Sequence, residues 1–172
     1  MDRLADALRT VPDFPKPGIQ FKDITPILRD RVLLREAVER LAAPFLNVGI
    51  THVAGMDARG FMLGGMLADV LGAGFIPVRK GGKLPWKTYV EQYALEYGTD
   101  TLEIHQDAAA PGDRVLIHDD VIATGGTAAA AHALLRQTGA DVAGFSFLIE
   151  LGFLDGRRLL GVEAPVHSVL TI

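Results

Sequence analysis

Cysteine is absent from the 172 residues, which excludes disulfides, a thiolate nucleophile and cysteine-ligated zinc. A surplus of positive charge is absent too. Lys and Arg number 17 against 21 Asp and Glu, a net charge of −4, so no general attraction to a nucleic-acid backbone is expected. No apolar run approaches the ~20 residues that a membrane span requires. The opening "MDRLADALRT" mixes acids and bases without the apolar core of a signal peptide. A cytoplasmic enzyme or regulator with no membrane partner is therefore expected. Acids vanish between Val70 and Val90, where Arg79, Lys80, Lys83 and Lys87 all fall. In an acidic protein that bias fits an anion site, although a solvated basic loop has the same composition.

The residues that are present describe an ordinary globular chain, 49% hydrophobic and 22% charged. Its length suits a single domain, residues 1–172, able to bury roughly 70% of its unfolded surface. Leu4, Ala7, Leu8 and Val11 share one face, so residues 2–10 read as a short helix. "VPDFPKPG" ends it, because three prolines cannot continue a helix. Asp30 can cap "RVLLREAVERLAAPF", whose Leu33, Leu34, Ala37, Val38 and Leu41 form an apolar stripe. "THVAGM" reads as a strand, "GFMLGGMLADVLG" as a helix and "GFIPVRK" as a second strand.

Residues 80–100 lack helical periodicity; they read as a long mobile loop, although "YVEQYALEY" could pair as strands. "DRVLIHDD" is a strand with an apolar centre suited to burial on both faces. "TAAAAHALLRQT" follows as a helix stopped at Gly139, and "ADVAGFSFLIEL" and "APVHSVLTI" supply further strands. The alternation predicts an α/β fold with a parallel sheet and flanking helices. Ligands of such sheets bind beyond the carboxyl ends of the strands, where Asp119 and Asp120 stand.

The stretch "VLIHDDVIATGGT" carries the most chemistry. Its turn, Ala123, Thr124, Gly125, Gly126 and Thr127, has no charge, two hydroxyls and two glycines before a helix. Free N–H groups at such a helix start suit an anion, and a phosphate fits best. Asp119 and Asp120 would repel that phosphate and are instead acceptors for hydroxyls or ligands for a metal. A phosphate beside a pair of hydroxyls describes a ribose 5-phosphate. The plain alternative is a tight turn with two solvated acids. No "GK[ST]" follows the glycines, and "GxGxxG" is also missing.

"VLIHDDVIATGGT" resembles the 5-phosphoribosyl-1-pyrophosphate motif of type I phosphoribosyltransferases. "DFPKPGIQFKDITPIL", "GMDARGF", "PVRKGGKLP" and "YALEYG" occur in the order and rough spacing of the adenine phosphoribosyltransferases. The likeness covers residues from about 12 to about 151. It implies the type I fold, with residues 1–30 as a base-binding hood segment and 80–100 as a catalytic loop hinged near Gly81, Gly82 and Gly98. It implies synthesis of AMP from adenine and the activated sugar, with Mg2+ held through the substrate's pyrophosphate. A homodimer is implied too, in which some cations reach the neighbouring subunit's site.

By that resemblance Asp57, Ala58 and Arg59 form a pyrophosphate loop with a cis peptide at Asp57–Ala58. Arg79, Lys80 and Lys83 contact pyrophosphate. Phe21 would stack on one face of the purine and Val121 would close the other. Backbone groups near Gln20 and Lys22 would read the adenine edge, and Lys22 stands where relatives commonly carry Arg. Glu96 is implied as the catalytic carboxylate, with Tyr97 beside it. Read without the family, Asp57 and Arg59 pass for a helix cap and a surface cation, Phe21 for core packing, and Glu96 for surface decoration.

His118 departs from the aliphatic residue that usually precedes the two acids. A neutral histidine hydrogen-bonded within the sheet is the reading favoured over one that titrates beside Asp119. His52, His105, His132 and His167 lack ligand-like spacing, so no protein-built metal site is expected. Trp86 reads either as a lid anchor or as exposed. Two other functions stay open: transfer to another purine such as xanthine or hypoxanthine, or a non-catalytic sensor of the sugar pyrophosphate that regulates transcription. No basic helix-turn-helix precedes residue 12, which argues against the sensor.

Overall fold

Asp30 stands where a polar turn meets an apolar stripe, and its carboxylate accepts from the N–H groups of Val32 and Leu33 at 2.8 and 3.1 Å. Two of the four orphan donors are thereby satisfied, and α3 (Arg31–Ala42) begins. It buries Ala37, Val38, Leu41 and Ala42. The expected helix ran to Phe45, but Pro44 lacks a backbone donor and residues 43–45 tighten into a 3-10 turn. These details come from a computed structural model, which describes residues 2–95, 98–161 and 164–172.

Before α3 the chain forms α1 (Arg3–Ala7), β1 (Arg9–Pro12), β2 (Gln20–Asp23) and α2 (Thr25–Arg29). The first helix is shorter than expected, because residues from Arg9 on pair antiparallel with β2 in a separate two-stranded ribbon. After α3 come β3 (His52–Met56), α4 (Arg59–Leu71), β4 (Gly74–Lys80), β5 (Thr88–Leu95), β6 (Gly98–His105) and β7 (Arg114–Ile122). The chain closes with α5 (Gly126–Thr138), β8 (Asp141–Glu150), α6 (Arg157–Leu160) and β9 (Val166–Thr171). Gly139, at φ 82°, stops α5 where expected.

The main sheet has seven strands in the order β5-β6-β4-β3-β7-β8-β9. From β4 to β9 its neighbours are parallel, while β4/β6 and β5/β6 are antiparallel. The loop expected over residues 80–100 is thus largely strand: Thr88 pairs with His105, and the ladder continues to Leu95 opposite Gly98. Cross-strand pairing to a partner further along the chain overrode the missing local signal. Strand β7 also runs on past the two acids to Ile122, two residues beyond the expected end at Asp120.

Successive residues of β7 enter different cores. Val115 and Ile117 join α5 and the hairpin on one face, and Leu116 joins α3 and α4 on the other. Both faces of the sheet are therefore covered, as its continuous apolar runs require. Chain order turns one way from β3 to β4 and the other way from β7 to β8, so the carboxyl ends of β3 and β7 flank a topological switch point. Helix α4 begins beside one of these ends and α5 beside the other. Among the described residues no helix is long and apolar enough to cross a membrane.

Candidate active site

The carboxyl end of β7 supplies the acid pair. Asp120 is 2% exposed and Asp119 is half-buried, its Oδ1 accepting the Asp120 N–H at 2.8 Å. Burial, and then the Asp120 carboxylate beside it, push Asp119 well above the usual aspartate range. Arg59, the first residue of α4, opposes this by placing Nε 2.7 Å from Asp120 Oδ2. The contact is an ion pair off the line of a hydrogen bond, so Asp120 Oδ2 still has no hydrogen-bond partner. Helix α4 reaches the pair only because Gly60 follows Arg59; a Cβ there would stand 3.0 Å from Asp119 Oδ1 and 3.2 Å from the His118 carbonyl.

Past Ile122 the chain turns through Ala123, Thr124 and Gly125 into α5. Gly125 has φ +85°, a conformation costly for any residue with a Cβ, and no side chain caps the helix after it. Its first N–H groups are left to an external acceptor. A cavity of about 80 Å³ lies here, lined by Asp119, Val121, Thr124, Gly125, Gly126 and Thr127 among others. Asp119 and the uncapped amides thus share one small space.

The end of β3 supplies the next group. The Asp57–Ala58 peptide is cis, as the resemblance implied. Asp57 N–H donates to Val78 O at 2.9 Å, and its carboxylate accepts from Arg79 Nε at 3.0 Å. Arg79 Nη1 also donates to Lys83 O at 3.3 Å. Lys80 Nζ stands 3.4 Å from Asp100. The Lys83 and Leu84 N–H groups both donate to Glu103 Oε1 at 2.7 Å, and with Gly82 they hold this buried carboxylate below its ordinary range despite desolvation. Arg59, Arg79 and Lys80 are therefore each matched to an acid, and Lys83 is positioned through its backbone.

Phe21 lies at the centre of β2, with Gln20 and Lys22 on either side. The Arg59 guanidinium stacks 5.0 Å from its ring centroid, and Phe14 meets it edge-on at 5.1 Å. Lys22 Nζ donates to Thr10 Oγ1 at 3.0 Å, so its side chain is engaged within the ribbon. Phe21, Arg59 and Asp120 form one chain of contacts joining the ribbon to the acid pair. Val121 is half-buried on β7 and lines the cavity. Glu96 and Tyr97 lie outside the described residues. Nearby, the Tyr93 hydroxyl reaches Asp100 Oδ2 at 3.4 Å and the Thr127 hydroxyl. Asp100, Glu103, Gly60 and Tyr93 were missed in the sequence. Only "ARG", a glycine directly after the site's arginine, gave a local hint.

His118 is fully buried, with Nδ1 2.9 Å from the Ser146 carbonyl. Burial pushes it down to about 4 against that hydrogen bond, so the ring is neutral. The unfolded chain takes up the proton near pH 6.5, so this contribution to stability is complete above that value. It is lost as pH falls from 6.5 toward about 4, by about 3 kcal/mol in all. His118→Val should remove that part of the slope in urea titrations across this window and leave kcat/KM near neutrality almost unchanged. A variant as acid-sensitive as the wild type between those limits would refute the assignment.

Comparison with known proteins follows the same lines. Residues 31–164 match the family described as phosphoribosyl transferase domain. An adenine phosphoribosyltransferase from Synechococcus sp. (strain JA-3-3Ab) is 58% identical over 164 residues, 95% of this chain and 94% of that protein. The crystal structure of the adenine phosphoribosyltransferase of Rhodothermus marinus DSM 4252 superposes with a TM-score of 0.95 at 62% identity, covering 98% of this chain and 96% of that one. That of Saccharomyces cerevisiae, complexed with an imino-altritol bisphosphate and adenine, gives 0.90 at 42% identity over 96% of each chain.

Proposed function

The chain belongs to the phosphoribosyl transferase domain family and, within it, to the adenine phosphoribosyltransferases, and from that premise we propose how its residues divide the reaction. It is a pentosyltransferase: it moves the 5-phosphoribosyl group from 5-phosphoribosyl 1-pyrophosphate to adenine, giving AMP and pyrophosphate in purine salvage. One observation carries the assignment of roles. Two carboxylates stand beside an uncapped, glycine-led helix start at the end of β7, with a cation from α4 already on one of them.

Asp119 and Asp120 accept the ribose 2- and 3-hydroxyls. The backbone from Ala123 to Thr127, with the Thr124 and Thr127 hydroxyls, takes the 5-phosphate without any charged side chain. As the bond from the anomeric carbon to pyrophosphate breaks and the bond to adenine N9 forms, positive charge grows on the sugar and negative charge on the leaving group. Arg59, Arg79, Lys80 and Lys83 are placed to meet the latter. Acidic partners keep Arg59, Arg79 and Lys80 oriented until a stronger anion replaces them, and Glu103 holds Lys83 through its backbone N–H.

The donor set suits a metal carried by the substrate. Asp119 and Asp120 offer two adjacent carboxylates, and among the described residues no three His, Asp or Glu side chains gather as a ligand group. Mg2+ would be held through the substrate's diphosphate, where it would neutralise leaving-group charge, while the acid pair is left to the ribose hydroxyls. Phe21 stacks on the purine and Val121 faces it from β7. Backbone groups at Gln20 and Lys22 select the 6-amino edge. Glu96 accepts from N7 and assists loss of the imidazole proton while N9 attacks. The β5–β6 hairpin excludes water that would otherwise hydrolyse the sugar.

The protein acts as a cytoplasmic homodimer. Met62, Met66 and Val70 leave an apolar face on α4 that is 39–47% exposed, and Phe75 and Trp86 are exposed as well; a second copy covers such a face. The test is mass detection of products from all common purines with the activated sugar and Mg2+. AMP should dominate, and Glu96→Gln should lower kcat more than it raises KM. Preferential formation of IMP or XMP would overturn the base assignment, and full turnover by Glu96→Gln the catalytic one.

A further inference from the structure

Behind the loop that faces the cavity, a second segment presses on its backbone. A Cβ on Gly125 would come within 2.2 Å of the Gly156 carbonyl oxygen and 3.3 Å of Leu159 Cβ. A Cβ on Gly156 would come within 2.2 Å of Ala123 O and 3.0 Å of Gly125 N. Each glycine is bare because the other's main chain fills the place of its side chain. Gly156 is buried, although the residues on both sides of it are exposed.

Gly156 is itself held by charge. Arg157 donates to Glu150, with Nε–Oε1 at 2.7 Å, and its Nη1 donates to the Val166 carbonyl at 2.9 Å. Its Nη2 also reaches Ser168 Oγ at 3.2 Å. Glu150 ends β8, while Val166 and Ser168 belong to β9, so one guanidinium ties the segment to two sheet strands. Hydrogen bonding by Arg157 keeps Glu150 ionised by holding it below its ordinary range. A further bond, Leu151 N–H to Ile122 O at 3.0 Å, joins the same segment to the end of β7. The loop from Ala123 to Gly126 cannot move backward without displacing this anchored stretch.

We propose that Gly156, fixed by the Arg157–Glu150 clamp, is a positioning residue that holds the loop's amides at the spacing a phosphate needs. It acts from behind, through Gly125 and Ala123, and touches no substrate. The proposal rests on the reading that this loop takes the 5-phosphate. Direct phosphate contacts from front-facing groups are only half of such a site; the rigidity of the rear contact determines whether several N–H groups converge on one anion at once.

Equilibrium binding of ribose 5-phosphate and, separately, of pyrophosphate tests this, alongside KM for the sugar substrate and thermal unfolding. Gly156→Ala should weaken ribose 5-phosphate and raise the sugar KM by about tenfold or more, since displacement of roughly 1 Å suffices. Pyrophosphate binding should stay within about twofold, because that end of the site does not lean on residue 156. Arg157→Ala should shift the same constants in the same direction by less, and Arg157→Lys should restore part of the loss. Thr127→Val serves as the control for the loop itself. If Thr127→Val leaves ribose 5-phosphate affinity unchanged, the reading of the loop fails. If it weakens affinity while folded Gly156→Ala or Arg157→Ala binds like wild type, or if both ligands weaken equally in those variants, the rear clamp is not a positioning device. Should Gly156→Ala not fold, the Arg157 pair decides alone.

Discussion

Arg59→Met should lower stability by about 2 kcal/mol, and adding Asp120→Asn should restore most of that without restoring activity. Asp120 is 2% exposed, and its charge is met by the Arg59 guanidinium at 2.7 Å. Removing the cation leaves a buried anion with no counter-charge, which costs several kcal/mol in a fully enclosed pair. Here the cost is smaller, because the Arg59 side chain is 45% exposed and water reaches it. For a chain of this length the loss corresponds to several degrees in Tm. Neutralising Asp120 removes the unpaired charge, so the two substitutions couple strongly in a double-mutant cycle.

Activity behaves differently. Arg59 also stacks on Phe21, and on the proposed division of roles it meets the leaving group while Asp120 accepts a ribose hydroxyl. Both single variants and the pair should therefore turn over about a hundredfold more slowly or worse. Thermal unfolding and steady-state rates on the same four proteins distinguish the two readouts. A double variant no more stable than Arg59→Met would refute the pairing, and one as active as wild type would refute the catalytic assignment.

Asp119→Asn should make the protein more stable near neutral pH and a much poorer enzyme. Burial and the adjacent Asp120 push Asp119 well above the usual range, so its ionisation opposes folding. A raised acid contributes stability below its unfolded value and loses it as pH rises through the folded value. The wild type should therefore lose stability with rising pH over that interval, and the Asn variant should not. The amide also relieves the repulsion from Asp120. On the proposed reading it forfeits a charged acceptor for a ribose hydroxyl, worth about 2 kcal/mol or roughly thirtyfold in affinity for the activated sugar. A higher Tm with a higher KM is the signature of a side chain kept for function at the expense of the fold. A variant less stable than wild type at every pH would contradict it.

Elements with a local physical cause were legible. Asp30 before a polar-to-apolar switch capped α3, Gly139 stopped α5, and "GFIPVRK" became β4 residue for residue. The acid pair and the TGGT turn could be read as chemistry because carboxylates and bare amides select different ligand atoms. The hairpin of β5 and β6 was less readable: "YVEQYALEY" has no decisive periodicity, and its stability comes from pairing with the strand that follows. The β1–β2 ribbon was hidden by the intervening prolines. Pro12 itself ends a strand opposite Gln20, where a missing donor does little harm at an edge.

The amino-acid sequence alone determined the order of strands and helices from α3 to β4 and of β7, α5, β8 and β9, the sign of charge along each stretch and the donor and acceptor groups gathered at the end of β7. These follow from side-chain period, capping and donor inventory, all of which act within a few residues. Tertiary structure alone decided which cation meets which acid, why Glu103 and Asp100 belong to the site, and that Gly156 stands against Gly125. Such pairs lie far apart in the chain, and their energies depend on distance and burial, which exist only after the sheet has formed around its switch point.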